Sequence, residues 1–306
     1  MSTVEQSQAA SDNSAYRRGL LLVILAGIIW SSQGVAVKFM IGADAWQILF
    51  YRSVSLAIFL FFVVAIRSGG KPFAAFRALG SGAILGGICL VFAFSGSIVA
   101  VKETTVANAF FLFAAAPFLA ALLGRILLGE KIRRATWIAM TVALCGIVVM
   151  VAGQLGSGRL LGNIAAIASA LGFAVFTIIL RWKRLGDTMP IICYGGLFAA
   201  IIGGVACLYS GVGFELAPLD LSISLALGVG QLGLGLVVYT MGSRYVPASE
   251  LALLAMAEVV LAPVWSYLAL GETMSLQTAV GGALILGAIA GNALSGMRKR
   301  PPPVIP

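Results

Sequence analysis

Three ionisable side chains lie in otherwise apolar surroundings: Glu258, Arg52 and Lys38. A charge in hydrocarbon is costly, so such residues are by default candidates for holding a solute's opposite charge or carrying a proton. Glu258 falls near the midpoint between Pro247 and Glu272. At about 1.5 Å per helical residue, that places it near the centre of a membrane. Its carboxylate could hold an ammonium group or take up a proton; the plainer alternative is a structural ion pair or interhelical hydrogen bond. Arg52 could hold a carboxylate in bidentate fashion, or simply pair with a carbonyl or acid of the chain. Lys38 ends the first apolar stretch, where it could bind a solute or stretch back to water along its own stem.

Polar and aromatic residues extend this set. Trp30 and Gln33 are one helical turn apart and share a face. Asn108 and Phe111 share a face with Ala115, and Glu258 and Trp265 fall on one stripe two turns long. Gln231 stands among Gly228, Gly230, Gly233 and Gly235. Rings at such positions more often pack or face lipid, whereas buried amides need partners. Histidine is absent, which removes imidazole catalysis and His-based metal sites. Cys89, Cys145, Cys193 and Cys207 sit inside apolar stretches with no Cys-x-x-Cys spacing, so they read as small buried hydrophobes. No cofactor is expected. No G-x-x-x-x-G-K-[ST] loop is present, which argues against direct ATP drive. An intramembrane enzyme acting on lipids or peptides would need a nucleophile–base pair or clustered ligands, and one deep carboxylate supplies neither.

The elements that must position these groups are membrane helices. Of the 306 residues, 60 % are hydrophobic and only 10 % charged, too little charge for the surface of a soluble domain. Ten apolar stretches are expected, at 19–41, 45–66, 78–100, 104–128, 135–153, 159–181, 189–210, 220–242, 247–270 and 276–296. Each has the roughly twenty residues that a helix needs to cross a bilayer, and none alternates with period two over barrel-strand length. The chain reads as an all-α polytopic membrane protein with a lipid bilayer as its surroundings. Lys and Arg collect in alternate segments, from Arg17 and Arg18 through Arg67, Lys131, Arg181 and Arg244 to Arg298, with only Lys102 and Arg159 opposite. That asymmetry puts both termini in the cytoplasm and accounts for the net charge of +9 without a nucleic acid partner.

Two passages resemble each other: Thr105 to Glu130 and Pro247 to Glu272, each ending in Leu-Gly-Glu before another apolar stretch. The first and sixth stretches pair weakly around Gly34 and Gly172. Two units of five helices follow, and an odd unit must re-enter the membrane upside down. Inverted repeats point to a transporter with its site between the halves. Gly129 and Gly271 suit left-handed helix caps, and Glu130 and Glu272 suit the start of the next helix. The organisation is a mobile cytoplasmic segment 1–18, a first unit 19–153, a flexible link from Gly153 to Gly158, a second unit 159–296 and a basic, Pro-rich tail 297–306. Gly287-x-x-x-Gly291 is a close-packing pattern that fits either homodimerisation or packing within one chain.

These residues carry a resemblance to the EamA family of the drug/metabolite transporter superfamily: Trp30 to Lys38, Arg52, Pro117 to Glu130, and Glu258 to Glu272. It covers nearly all of 19–296 as two EamA units. One departure stands out: the family often has Trp-Gly-Ser where Trp30-Ser31-Ser32 stands. Between the chain's two units, the second has Val259 where the first has Pro117, with Pro263 a turn further on. The resemblance implies export or exchange of a small metabolite across the inner membrane of a bacterium. Taken with the inverted repeat and the intramembrane charges, the expected function is a secondary transporter of an amino acid or related amine working by alternating access. The resemblance places the cavity wall on spans one, three, four, six, eight and nine. A channel-like facilitator, or a scaffold subunit that transports nothing, is the alternative.

Overall fold

The structure is a computed structural model that describes residues 3–153, 158–183, 188–247, 250–251, 254 and 256–297, with side chains described from 15 to 296. The link residues 154–157 and the tail 298–306 lie outside the described residues. All regular elements among the described residues are helices. Nine are long and apolar enough to cross a membrane: Ala15–Phe39, Ala45–Arg67, Gly80–Glu103, Val106–Leu128, Arg134–Ala152, Leu160–Trp182, Met189–Tyr209, Pro218–Ser243 and Leu276–Gly296. The first eight are spans one to eight here, and the last is span ten. Between spans eight and ten runs a shorter apolar helix, Met256–Leu270. Residues 250, 251 and 254 are also helical, and the remaining residues of the expected ninth stretch between them lie outside the described set. The chain is a multi-pass membrane protein, and large apolar side chains such as Phe62, Ile138, Leu161 and Val205 point outward from it.

The spans begin and end within a few residues of the positions that hydropathy gives. What hydropathy does not give is where they break. The polar segment before span one is helical from Thr3, and that helix stops at Ser31, with a second piece from Gln33 to Phe39. Span four is two helices, Val106–Phe113 and Ala116–Leu128. Its second piece has Pro117 in its first turn, where a missing N–H costs least. Pro263, by contrast, lies inside Met256–Leu270 without interrupting it. A short helix, Pro72–Ala78, stands where a loop was expected.

The most extensive helix contacts among the described residues repeat when the first five spans are exchanged for the last five. Span two packs on span seven, and span five on span ten. Span three packs on span six as span one packs on span eight; span three meets span seven as span two meets span eight. Span four lies along span six as the Met256–Leu270 helix lies along span one. Missing side chains permit a close crossing of spans five and ten: a Cβ on Gly146 would stand 2.6 Å from the Gly281 carbonyl, and one on Gly281 would stand 2.5 Å from the Gly146 carbonyl. A Cβ on Gly287 or Gly291 would meet nothing within 4 Å, so among the described residues this pattern makes no close crossing.

Overpacking a tight contact costs about 1–3 kcal/mol. Gly146→Val should therefore lower the melting temperature of the detergent-purified protein clearly, while Gly287→Ala should leave it nearly unchanged. Equal losses in the two variants would contradict this packing.

Candidate functional site

The site begins at the break in span one. Ser31 and Ser32 each turn their hydroxyl back on the chain, donating to the carbonyls of Ile28 and Ile29 at 2.7 Å. Such bonds compete with the helix ladder, and the helix parts between them. The carbonyl of Trp30 beside the break accepts a hydrogen bond from Gln231 Nε2 at 3.1 Å. Gln231 is carried by a π-helical segment, Leu227–Leu234, and such wide turns gather at functional sites. The segment's glycines admit its neighbours. A Cβ on Gly228 would collide with the Arg52 carbonyl and Ser55, and one on Gly235 would collide with the Trp30 ring. Tyr239, one turn on, lies 5.3 Å from that ring, centroid to centroid.

Arg52 is 2 % exposed in span two. No ion pair joins it among the described residues, and its guanidinium lies 5.6 Å from the centre of the Phe94 ring of span three. Asn108, fully buried at the start of span four, donates to Asn163 Oδ1 of span six and to Thr104 Oγ1 at 3.4 Å. Thr105 caps the same helix by accepting from Asn108 N–H at 3.2 Å.

Four buried side-chain atoms among the described residues find no protein partner: Trp30 Nε1, Arg52 Nη1, Asn108 Oδ1 and Gln231 Oε1. All four belong to residues that the sequence singles out. A buried group left unpaired costs about 1–3 kcal/mol, and such exceptions are concentrated where ligands or waters act. Together the atoms offer a cation, one N–H donor and two amide acceptors.

The other sequence candidates are placed differently. Glu258 is partly buried within Met256–Leu270, with no ion pair or hydrogen bond among the described residues, and its backbone passes span one at Gly27. Trp265 donates from Nε1 to Ser31 Oγ at 2.9 Å. It lines an apolar groove of about 650 Å³ together with Ile28, Phe39, Ile223 and Leu268. Phe111 packs where Gly282 of span ten has no side chain. Gln33 is buried. Lys38 Nζ approaches Glu272 at 4.0 Å and donates to the Lys102 carbonyl at 3.5 Å. Sequence reasoning missed Asn163, Phe94 and Tyr239. Asn163 lies close to a span end, where polar residues are commonplace, and only its pairing with Asn108 sets it apart.

The sequence matches the model of the EamA-like transporter family twice, over residues 17–152 and 160–294. It is 26 % identical to an uncharacterized transporter of Archaeoglobus fulgidus over 89 % of this chain and 95 % of that one. It is 24 % identical to the pseudopaline exporter CntI of Pseudomonas aeruginosa over 92 % of this chain and 98 % of that one. Protein RarD of Salmonella typhi is 30 % identical over 53 % of this chain and 54 % of its own. A crystal structure with 20 % identity superposes with a TM-score of 0.64, covering 92 % of this chain and 99 % of that one.

The two kinds of buried polar residue should separate in stability. Arg52→Met removes an unpaired cation and should hold or raise the melting temperature. Asn163→Leu leaves Asn108 with fewer partners and should lower stability by about 1–3 kcal/mol. Loss of stability in Arg52→Met would mean that Arg52 is satisfied by the fold.

Proposed function

This chain belongs to the EamA-like transporter family, and from its site we propose a carrier for a small zwitterionic metabolite, such as an amino acid or a related amine-bearing acid. That it is a membrane transporter of small metabolites follows from the family and from its named relatives. The finer reading rests on one observation: the buried Arg52, whose Nη1 has no partner, accompanied by the unpaired atoms of Trp30, Gln231 and Asn108. A solute carboxylate is the natural partner of such a cation. Glu258 would hold the ammonium end or exchange a proton, and Trp30 and Tyr239 would flank the apolar part.

Alternating access would be carried out by two inverted five-helix units. The exchange-symmetric packing supports this, as do the two family matches. The Leu-Gly-Glu corners add independent support. Glu272 binds the first residue of span four, Val106, whereas Glu130 follows that span's last residue, Leu128. The two corners therefore stand about 35 Å apart along 23 helical residues. The charge bias of the loops supports cytoplasmic termini in a bacterial inner membrane, and the relative named as an exporter supports outward movement. Gly287 and Gly291, which make no close crossing among the described residues, would serve a homodimer.

Proteoliposomes loaded with amino acids test the reading. Wild-type protein should show saturable uptake of labelled solute, accelerated by unlabelled solute on the far side. Arg52→Met should reduce this at least about tenfold, the scale of one lost charged contact, and Glu258→Gln should flatten its pH dependence. Non-saturable flux without trans-acceleration would point to the channel-like alternative, and full activity in both variants would remove these residues from the mechanism.

A further inference from the structure

The doubled Leu-Gly-Glu corners do more than end helices. Gly129 and Gly271 both take left-handed conformations, with φ of 68° and 64°. In each case the following glutamate's N–H closes back on the carbonyl six residues earlier, Glu130 on Gly124 and Glu272 on Ser266. This turn lays each carboxylate over the last turns of its own helix, Glu130 beside Gly124 and Glu272 beside Ser266, where it also meets a facing helix. Glu130, from the first half, accepts from Arg181 Nη2 at the end of span six at 2.7 Å. Glu272, from the second half, approaches Lys38 at the end of span one. It also accepts from Val106 N–H at 3.0 Å, at the start of span four, and from its own Ser266 at 2.5 Å. Each corner thus ties itself to the other half, one at each end of span four.

We infer that Glu130–Arg181 and Glu272–Lys38/Val106 are a repeat-related pair of latches, each holding shut one end of the path between the halves. This inference rests on the transport reading, since only a carrier must close its two ends in turn. A bond made across the halves at one end is lost when that end opens, and its loss shifts the balance toward the state open there. The latches differ in strength. Both inner side chains are well exposed, at 47 % and 36 %, where an ion pair contributes little. Glu272 is less exposed, at 20 %, and has three partners, one of them a helix-start N–H that favours negative charge.

Hydrogen exchange of the nanodisc-embedded protein, without solute, tests the latches. Glu130→Ala or Arg181→Ala should speed exchange about twofold to fivefold at Arg125–Leu128 and Ile179–Trp182, as an exposed pair predicts, and should leave Gln33–Phe39 no faster. Glu272→Ala or Lys38→Ala should do the reverse, with the larger effect for Glu272→Ala. Exchanging the inner charges, Glu130→Arg with Arg181→Glu, should restore protection there. Faster exchange at both ends, at neither end, or no restoration by the exchanged pair would overturn the latches. Flux measured in parallel separates the two readings. One-ended responses in a protein that moves no solute would refute the transport reading, whereas normal flux with unchanged exchange would refute the latches alone.

Discussion

A polar atom inside a bilayer has no water to bond with, so it either pairs within the protein or awaits something that enters. This constraint makes every span helical among the described residues. It gives Asn108 to Asn163 and the Trp265 indole to Ser31. It also makes the exceptions informative, because unpaired buried atoms on Trp30, Arg52, Asn108 and Gln231 have a cost that folding alone does not offset.

The same constraint explains the irregular backbone. Span one breaks and span eight widens at the level where Gln231 reaches the Trp30 carbonyl. Gly228 and Gly235 let span two and the Trp30 ring come close enough for the unpaired groups to sit beside the π segment. Trp30, Gln231 and Arg52 thus meet around the π segment, while the crossing of spans five and ten is close-packed at Gly146 and Gly281.

Hydropathy and charge made the spans readable, because each depends only on twenty or so consecutive residues. The doubled Leu-Gly-Glu passages were readable for a similar reason: the left-handed glycine is dictated locally. Local pattern does not report which helix a side chain faces. Phe111 shares a face with Asn108 on paper, yet it fills the space above Gly282, and Trp265 lines an apolar groove with Ile28 and Leu268. Ser31, in place of a glycine common in the family, gains a role that spacing could not reveal, as acceptor for Trp265. Glu272, legible only as a helix-end residue, proves to join the two halves.

The central claim is that a solute completes the unpaired polar groups around Arg52. Thermal melting of the purified protein across a panel of amino acids, amines and carboxylates tests it most directly, since a ligand that binds only the folded state raises the melting temperature by mass action. The account predicts that a zwitterion shifts the wild type in a concentration-dependent way, more than its amine or acid half alone, and that Arg52→Met loses the shift. A panel with no zwitterionic hit, or an equal shift in Arg52→Met, would contradict it.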